Sequence, residues 1–304
     1  MTILIYTGVI NVVADFVLVG IFKMGVAGAA IATIAAQAIS AYLATRKISI
    51  HSLRLMESQA ENLESYVEDK YKNKKKKPFL YPEIKKVHIM SMVMVGFPLA
   101  LKSTLFPIAN SIIQAVINTQ GTVVIAAVGV CGTLDLLIWL IADSVGGSLS
   151  TFVAQNMGAG KKKRAYQGSM IGTFITMGSI MFVSLILRFG TGFLGTLFIS
   201  PEDAAVVIPV AVHIMKIYTP FFFFYGMYAG FSGACCGTGK TLAPMVITMT
   251  CTCGLRVLAI LFIYPIFNTA DCIFWIYVAS WIASGLGSYA LFYHRFKSWR
   301  NADE

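Results

Sequence analysis

Eight stretches of about twenty mostly apolar residues recur along the chain, near 3–22, 25–45, 93–118, 124–156, 167–189, 204–233, 243–266 and 272–294. A helix needs about 20 such residues to cross the hydrocarbon core of a bilayer. Hydrophobic residues make up 57% of the chain and charged residues 12%, against roughly 25% charged in a soluble domain. A water-soluble fold would have too little polar surface, so the chain is expected to be an all-α integral membrane protein of about eight transmembrane helices.

The first run is expected to stay in the membrane, because Met1 to Tyr6 carries no basic residue and no small-residue cleavage site closes the run. Cys131, Cys235, Cys236, Cys251, Cys253 and Cys272 lie in or beside apolar runs without His or Cys partners at zinc-ligand spacing. They read as small packing residues.

A net charge of +10 could point to nucleic acid, but the basic residues sit in alternate loops. Segment 46–88 holds eleven of them, including Lys74 to Lys77; Lys161, Lys162, Lys163 and Arg164 follow the fourth run, Lys240 the sixth, and Arg295, Lys297 and Arg300 the last. The intervening connections, Gln120 to Val123, Gly190 to Asp203 and Pro265 to Cys272, have no Lys or Arg. The positive-inside rule places the basic loops and both chain ends in the cytoplasm of a cell whose inner membrane the chain crosses, and no nucleic-acid partner is expected. Segment 46–88 reads as a linker, with a short surface helix over Met56 to Tyr71. Its basic run either binds anionic lipid or simply fixes topology.

Ionisable groups at membrane depth are costly and tend to mark pathways. Asn11 and Asp15 lie one turn apart in the first run. In the third, Lys102, Ser103, Asn110, Ser111, Gln114 and Asn118 share half of the helix circumference, which suits either a polar cavity or hydrogen bonding between helices. Asp135 and Asp143 in the fourth run are candidate proton or cation carriers, with helix packing as the other reading for Asp135. Arg256 lies near the middle of the seventh run and needs an acidic or carbonyl partner; Lys216 is less deep, and Arg188 can snorkel outward. The sixth run carries Tyr218, Pro220, Phe221 to Phe224, Tyr225 and Tyr228. Its rings either attract an organic cation or pack against neighbours, and Pro220 should bend the helix.

Gly233 to Thr241 superficially matches a phosphate-binding loop, but the spacing requires a Gly where Ala234 stands, and no strand precedes it. His51, His88, His213 and His294 stand in no metal or nucleophile constellation, and no catalytic set is found. No enzyme activity, cofactor or metal site is expected.

Several segments resemble the multidrug and toxic compound extrusion (MATE) family. Phe152-Val-Ala-Gln-Asn-Met-Gly-Ala-Gly160, followed by Arg164-Ala165, is similar to a signature at the cytoplasmic end of a MATE helix. Gly233-Ala-Cys-Cys-Gly-Thr-Gly-Lys-Thr241 with Pro244-Met245 resembles the turn before the eleventh helix, and Arg256 matches an arginine that commonly follows. Asn11 to Asp15 with Gly25 to Thr33 resembles the fifth-to-sixth-helix segment, and Gly96-Phe-Pro98 opens the seventh.

The resemblance implies helices five to twelve of a twelve-helix transporter, with the first four missing. Residues 1–45 would be the last two helices of an N-terminal lobe, 46–92 the inter-lobe linker, 93–296 a six-helix C-terminal lobe and 297–304 a cytoplasmic tail. It implies exchange of H⁺ or Na⁺ for organic cations or amphipathic drugs through a cavity between two rocking lobes. The expected pathway residues are Asp15, Asn110, Gln114, Asn118, Asp135, Asp143, Phe221, Tyr225 and Arg256. Lys102 departs from the pattern, standing where members have Glu or Gln; Asp135 fits it, whereas Asp143 stands near a more often small or apolar position. Cys235-Cys236-Gly237 lacks the family's basic residue. Two other readings are a flippase for lipid-linked sugars, which needs a basic cavity, and a non-transporting remnant or regulatory membrane partner. A further chain supplying the missing helices is an expected partner.

Overall fold

The computed structural model describes residues 2–64 and 86–300, and these are helical with no strand. Seven stretches are long and apolar enough to cross a membrane: Gly25–Lys47, Met92–Gln120, Thr122–Gly158, Lys162–Leu197, Pro201–Cys236, Leu242–Phe267 and Ala270–Trp299. They coincide with seven of the eight expected runs. The first run is represented by Ile5–Ile21, a shorter apolar helix. At 1.5 Å per residue it falls a few ångströms short of a ~30 Å core.

The chain divides into two compact units, 1–86 and 87–304. The first is a helical hairpin of α1 (Thr2–Asp15), which continues as a π-helical stretch Phe16–Ile21, and α2 (Gly25–Glu64). The turn is tight. Met24 N donates to Leu18 O at 3.0 Å, and Lys23 and Gly25 take left-handed φ angles of 53° and 57°. A methyl group on Gly28 would lie 2.9 Å from Met24 Cβ and 3.1 Å from Leu18 O, so only glycine lets α2 start this close.

An end near 45 is expected for the second helix from its apolar run, yet α2 continues to Glu64 as one 40-residue helix. Backbone hydrogen bonding does not require apolar side chains, and this extension is rich in residues of good helix propensity such as Leu, Glu and Arg. As far as Glu64, the expected surface helix is therefore the end of α2. Residues 65–71 and the lysines at 74–77 lie outside the described residues.

The second unit comprises α3 (Lys86–Ile117), α4 (Thr122–Gly158), α5 (Lys162–Leu194), α6 (Pro201–Tyr218), α7 (Phe222–Cys236), α8 (Leu242–Ile247), α9 (Leu255–Phe262), α10 (Tyr264–Phe267) and α11 (Ala270–Phe296). Helix α7 packs against α4, α5 and α11. Small residues set this spacing. A Cβ on Gly230 would lie 2.5 Å from Thr173 Oγ1 on α5, one on Gly233 would run into the backbone of Gly146 on α4, and one on Gly285 of α11 would lie 2.7 Å from Phe224 O. Lipid offers no hydrophobic drive between helices, so close backbone approach through small residues supplies the packing. The large apolar side chains Ile138, Ile180, Ile214, Met215, Phe222 and Phe274 fill the centre and are essentially fully buried.

Interruptions fall inside two of the spans. Thr219–Phe221, containing Pro220, is a 3₁₀ turn that separates α6 from α7, as the missing proline N–H requires. Thr248–Gly254 is π-helical and ends just before α9 and Arg256. Such stretches frequently accompany functional sites. The six thiols are free, with Cys131, Cys235 and Cys253 buried.

Candidate functional site

A cavity of about 490 Å³ opens in the second unit between α3, α4, α7, α9 and α11, within the size range of small-molecule sites. Its wall combines Phe106, Trp139, Tyr225, Tyr228 and Trp281 with three ionisable groups, Lys102, Asp143 and Arg256. Among the described residues none of the three forms an ion pair; the only such pair is His213 with Asp271, at 3.0 Å.

Arg256 is 3% exposed. Its Nε donates to Ser280 Oγ at 2.7 Å and its Nη1 to Asn110 Oδ1 at 3.3 Å. Ser280 commits its own hydroxyl proton to Tyr277 O at 2.7 Å, which leaves its oxygen to accept from Arg256. The guanidinium carbon lies 4.3 Å from the Tyr277 ring centroid and 6.0 Å from that of Phe106, so ring faces supply part of what a carboxylate would. The sequence reading asks for an acidic or carbonyl partner; the structure gives a hydroxyl, an amide carbonyl and two aromatic faces.

Lys102 projects over Tyr228, with Nζ 5.4 Å from the ring centroid. Tyr228 Oη lies 3.2 Å from Thr248 Oγ1, and Thr248 donates to Pro244 O at 2.9 Å, so Tyr228 donates to Thr248. Thr252, in the π-helical stretch, lies 2.7 Å from Ser284 on α11, oxygen to oxygen. These contacts fix the rings and place the irregular stretch against the cavity.

The expected pathway residues separate into groups. Asp143, Tyr225 and Arg256 line the cavity, and Asn110 supports Arg256 from behind. Gln114 and Asn118 hydrogen-bond each other at 3.0 Å and are exposed on α3, away from the lining. Phe221 packs edge-on to Trp275 with centroids 5.6 Å apart, outside the lining. Asp135 is 6% exposed in the apolar core of α4, and its Oδ1 has no hydrogen-bond partner. Eight residues turn a helix by about 80°, enough to put Asp143 at the cavity and Asp135 in the packing. Asp15 belongs to the first unit, where its Oδ1 and that of Asn11 are shielded and without a partner.

The sequence reading names Tyr228 only within the aromatic set of the sixth run and does not select Trp281, Ser280 or Ser284 as site residues. Tyr228 carries a signal, one turn from Tyr225 on the same face, whereas the α11 residues sit in a run of ordinary small and aromatic residues. A larger groove of about 950 Å³ runs between α9 and α11, walled mainly by apolar side chains such as Leu258, Phe262 and Trp275. It carries none of this chemistry, and such a wall suits contact with lipid.

The MatE family model matches residues 98–262, over half of the chain. A probable multidrug resistance protein NorM of Thermotoga maritima is 25% identical over 251 residues, 80% of this chain and 48% of the relative. A probable multidrug resistance protein YpnP of Bacillus subtilis is 26% identical over 157 residues, 51% of this chain and 30% of the relative. Among solved structures, a MOP-superfamily transporter from Pyrococcus furiosus superposes with a TM-score of 0.78 at 15% identity, over 99% of this chain and 63% of that one. That likeness shows the fold. The chain thus spans less than half of these curated relatives and about five-eighths of that structure.

Proposed function

The chain belongs to the MatE family of membrane transporters, and from that premise we propose that it serves secondary active antiport, exporting small amphipathic organic compounds in exchange for H⁺ or Na⁺. The observation that carries this reading is the cavity, drug-sized, ring-lined and furnished with unpaired charges at membrane depth. Rings hold an amphipathic body while charged groups fix its orientation. Asp143 at the wall and Asp135 in the core are the proposed carriers of the coupling ion. The breaks at Pro220 and at Thr248–Gly254 are the proposed hinges, because irregular backbone absorbs rearrangement that a regular helix resists.

Organic cations and drugs are the cargo that the family resemblance implies. In this reading cation and cargo bind alternately, since a ligand shifts a conformational equilibrium only through differential affinity. The proposed location is the inner membrane, with the basic loops and both chain ends in the cytoplasm. The flippase reading needs a basic cavity and draws on Lys102, Lys216 and Arg256; Lys102 and Arg256 line this one, whereas Lys216 is exposed and absent from the lining.

The test is ethidium efflux from an efflux-deficient host, with the chain expressed as it stands and extended by whatever coding sequence lies upstream, both quantified in the membrane. Efflux that falls severalfold in D143N and D135N at equal membrane levels supports the reading. Efflux indifferent to both substitutions removes the two carboxylates from the mechanism, and none in either form overturns export of organic cations.

A further inference from the structure

We propose that the cavity of the second unit recognises an amphipathic aromatic anion, a compound whose ring system carries a carboxylate, sulfonate or phosphate. The proposal rests on the transport reading only in concerning the same cavity. Two bases, Lys102 and Arg256, face one acid, Asp143, and none of them is paired.

Arg256 is the stronger part of the case. A guanidinium has five N–H donors, and here the protein engages only Nε and one proton of Nη1. Nη2 has no hydrogen-bond partner among the described residues and is not one of the fully shielded atoms, so it opens onto the cavity that this residue, 3% exposed overall, lines. A buried, hydrogen-bond-deficient cation costs free energy unless something completes it. An oxyanion of a ligand does so in the geometry guanidinium favours.

Lys102 stands two turns before Asn110 on α3, roughly 12 Å along the axis at 1.5 Å per residue. Arg256 is anchored to Asn110, so the two cations sit towards opposite ends of this stretch of α3, Arg256 beside Phe106 of α3 and Lys102 over Tyr228 of α7. An aromatic body fits between them, with its oxyanion on Arg256 and its other end, neutral or anionic, at Lys102. Asp143 leaves the lining net positive by one charge. An anion and a coupling cation do not compete for one carboxylate, so with this cargo the exchange is coupled through conformation, and Asp135, outside the lining, carries the ion.

The full chain in lipid nanodiscs is titrated with fluorescein and rhodamine 123, dyes that share a xanthene ring system and differ in charge, with fluorescence anisotropy as readout. Fluorescein is expected to bind about tenfold or more tightly than rhodamine 123, a charge-assisted hydrogen bond being worth at least that. R256Q and K102Q each weaken fluorescein by about tenfold, and R256K restores most of it. K102Q alters a half-buried side chain and keeps the test alive if R256Q does not fold. Rhodamine 123 bound as tightly, no binding of either dye, or fluorescein affinity unmoved by both K102Q and R256Q would overturn the proposal. Binding as expected without efflux of either dye would instead remove the transport reading and leave the anion site; rhodamine bound and exported with fluorescein ignored would do the reverse.

Discussion

Arg256 on α9 hydrogen-bonds Asn110 on α3 through Nη1 at 3.3 Å, joining two spans separated by 146 positions in sequence. Each group is polar at membrane depth and each answers the other. In a double-mutant cycle of R256M and N110L, followed by thermal unfolding in detergent, the coupling should be about 0.5–2 kcal/mol. R256M alone should cost more, since Ser280 also loses its donor. Strictly additive losses would mean that the bond carries no stability.

Close contact of α7 with α4 depends on Gly233, where any Cβ meets the Gly146 backbone. G233A should lower stability by about 1–3 kcal/mol, the usual cost of overpacking. Gly129 on α4 has open space beside it, and G129A should leave melting within about 0.5 kcal/mol. Equal effects would show that helix propensity, and not the crossing, decides.

At the opposite end of α11, Arg295 closes the turn after α7. Its Nη1 donates to Cys235 O, Thr238 Oγ1 and Lys240 O, each at 3.1 Å. One cation thus caps a helix end whose carbonyls have no helical partner. R295A should cost about 1–3 kcal/mol and speed proteolysis at Lys240 in detergent. Unchanged cleavage would mean that the turn holds without it.

Asp135 has no hydrogen bond among the described residues to reward its place in the core. Structural carboxylates are normally partnered when buried, so this one reads as kept for function at a cost in stability. D135N should therefore hold or raise the melting temperature while efflux becomes insensitive to the ion gradient. A melting temperature lowered by several degrees would mark the carboxylate as structural.

Where the sequence was informative, the reason was periodicity and cost. Apolar runs of membrane length located the seven spans with ends no more than eight residues off, and Lys102, Asp143 and Arg256 stood out because charge inside such runs is rare. Pro220 announced its break through its missing N–H. The run at 25–45 understated α2, because hydropathy reports the lipid boundary and not the end of hydrogen bonding. Asp135 and Asp143 were both candidate carriers in the sequence, with Asp135 the better fit to the family pattern; their separation into core and cavity depends on how α4 is rotated against its neighbours, which tertiary packing decides. Ser280 and Tyr277 carried no signal, since their role exists only once α11 lies against α9.

The cavity as the place where cargo binds is tested most directly by ligand protection of a cysteine in its wall. Ser103 lines it on α3; S103C, in a chain whose six native cysteines are replaced by serine, is treated with a maleimide in nanodiscs, with and without saturating dye of either charge. The predicted result is labelling slowed severalfold by the dye that binds, while a cysteine at exposed Phe262, outside this cavity, is unaffected. Labelling of Ser103→Cys at the same rate with dye bound would place the cargo elsewhere and contradict the assignment of this cavity.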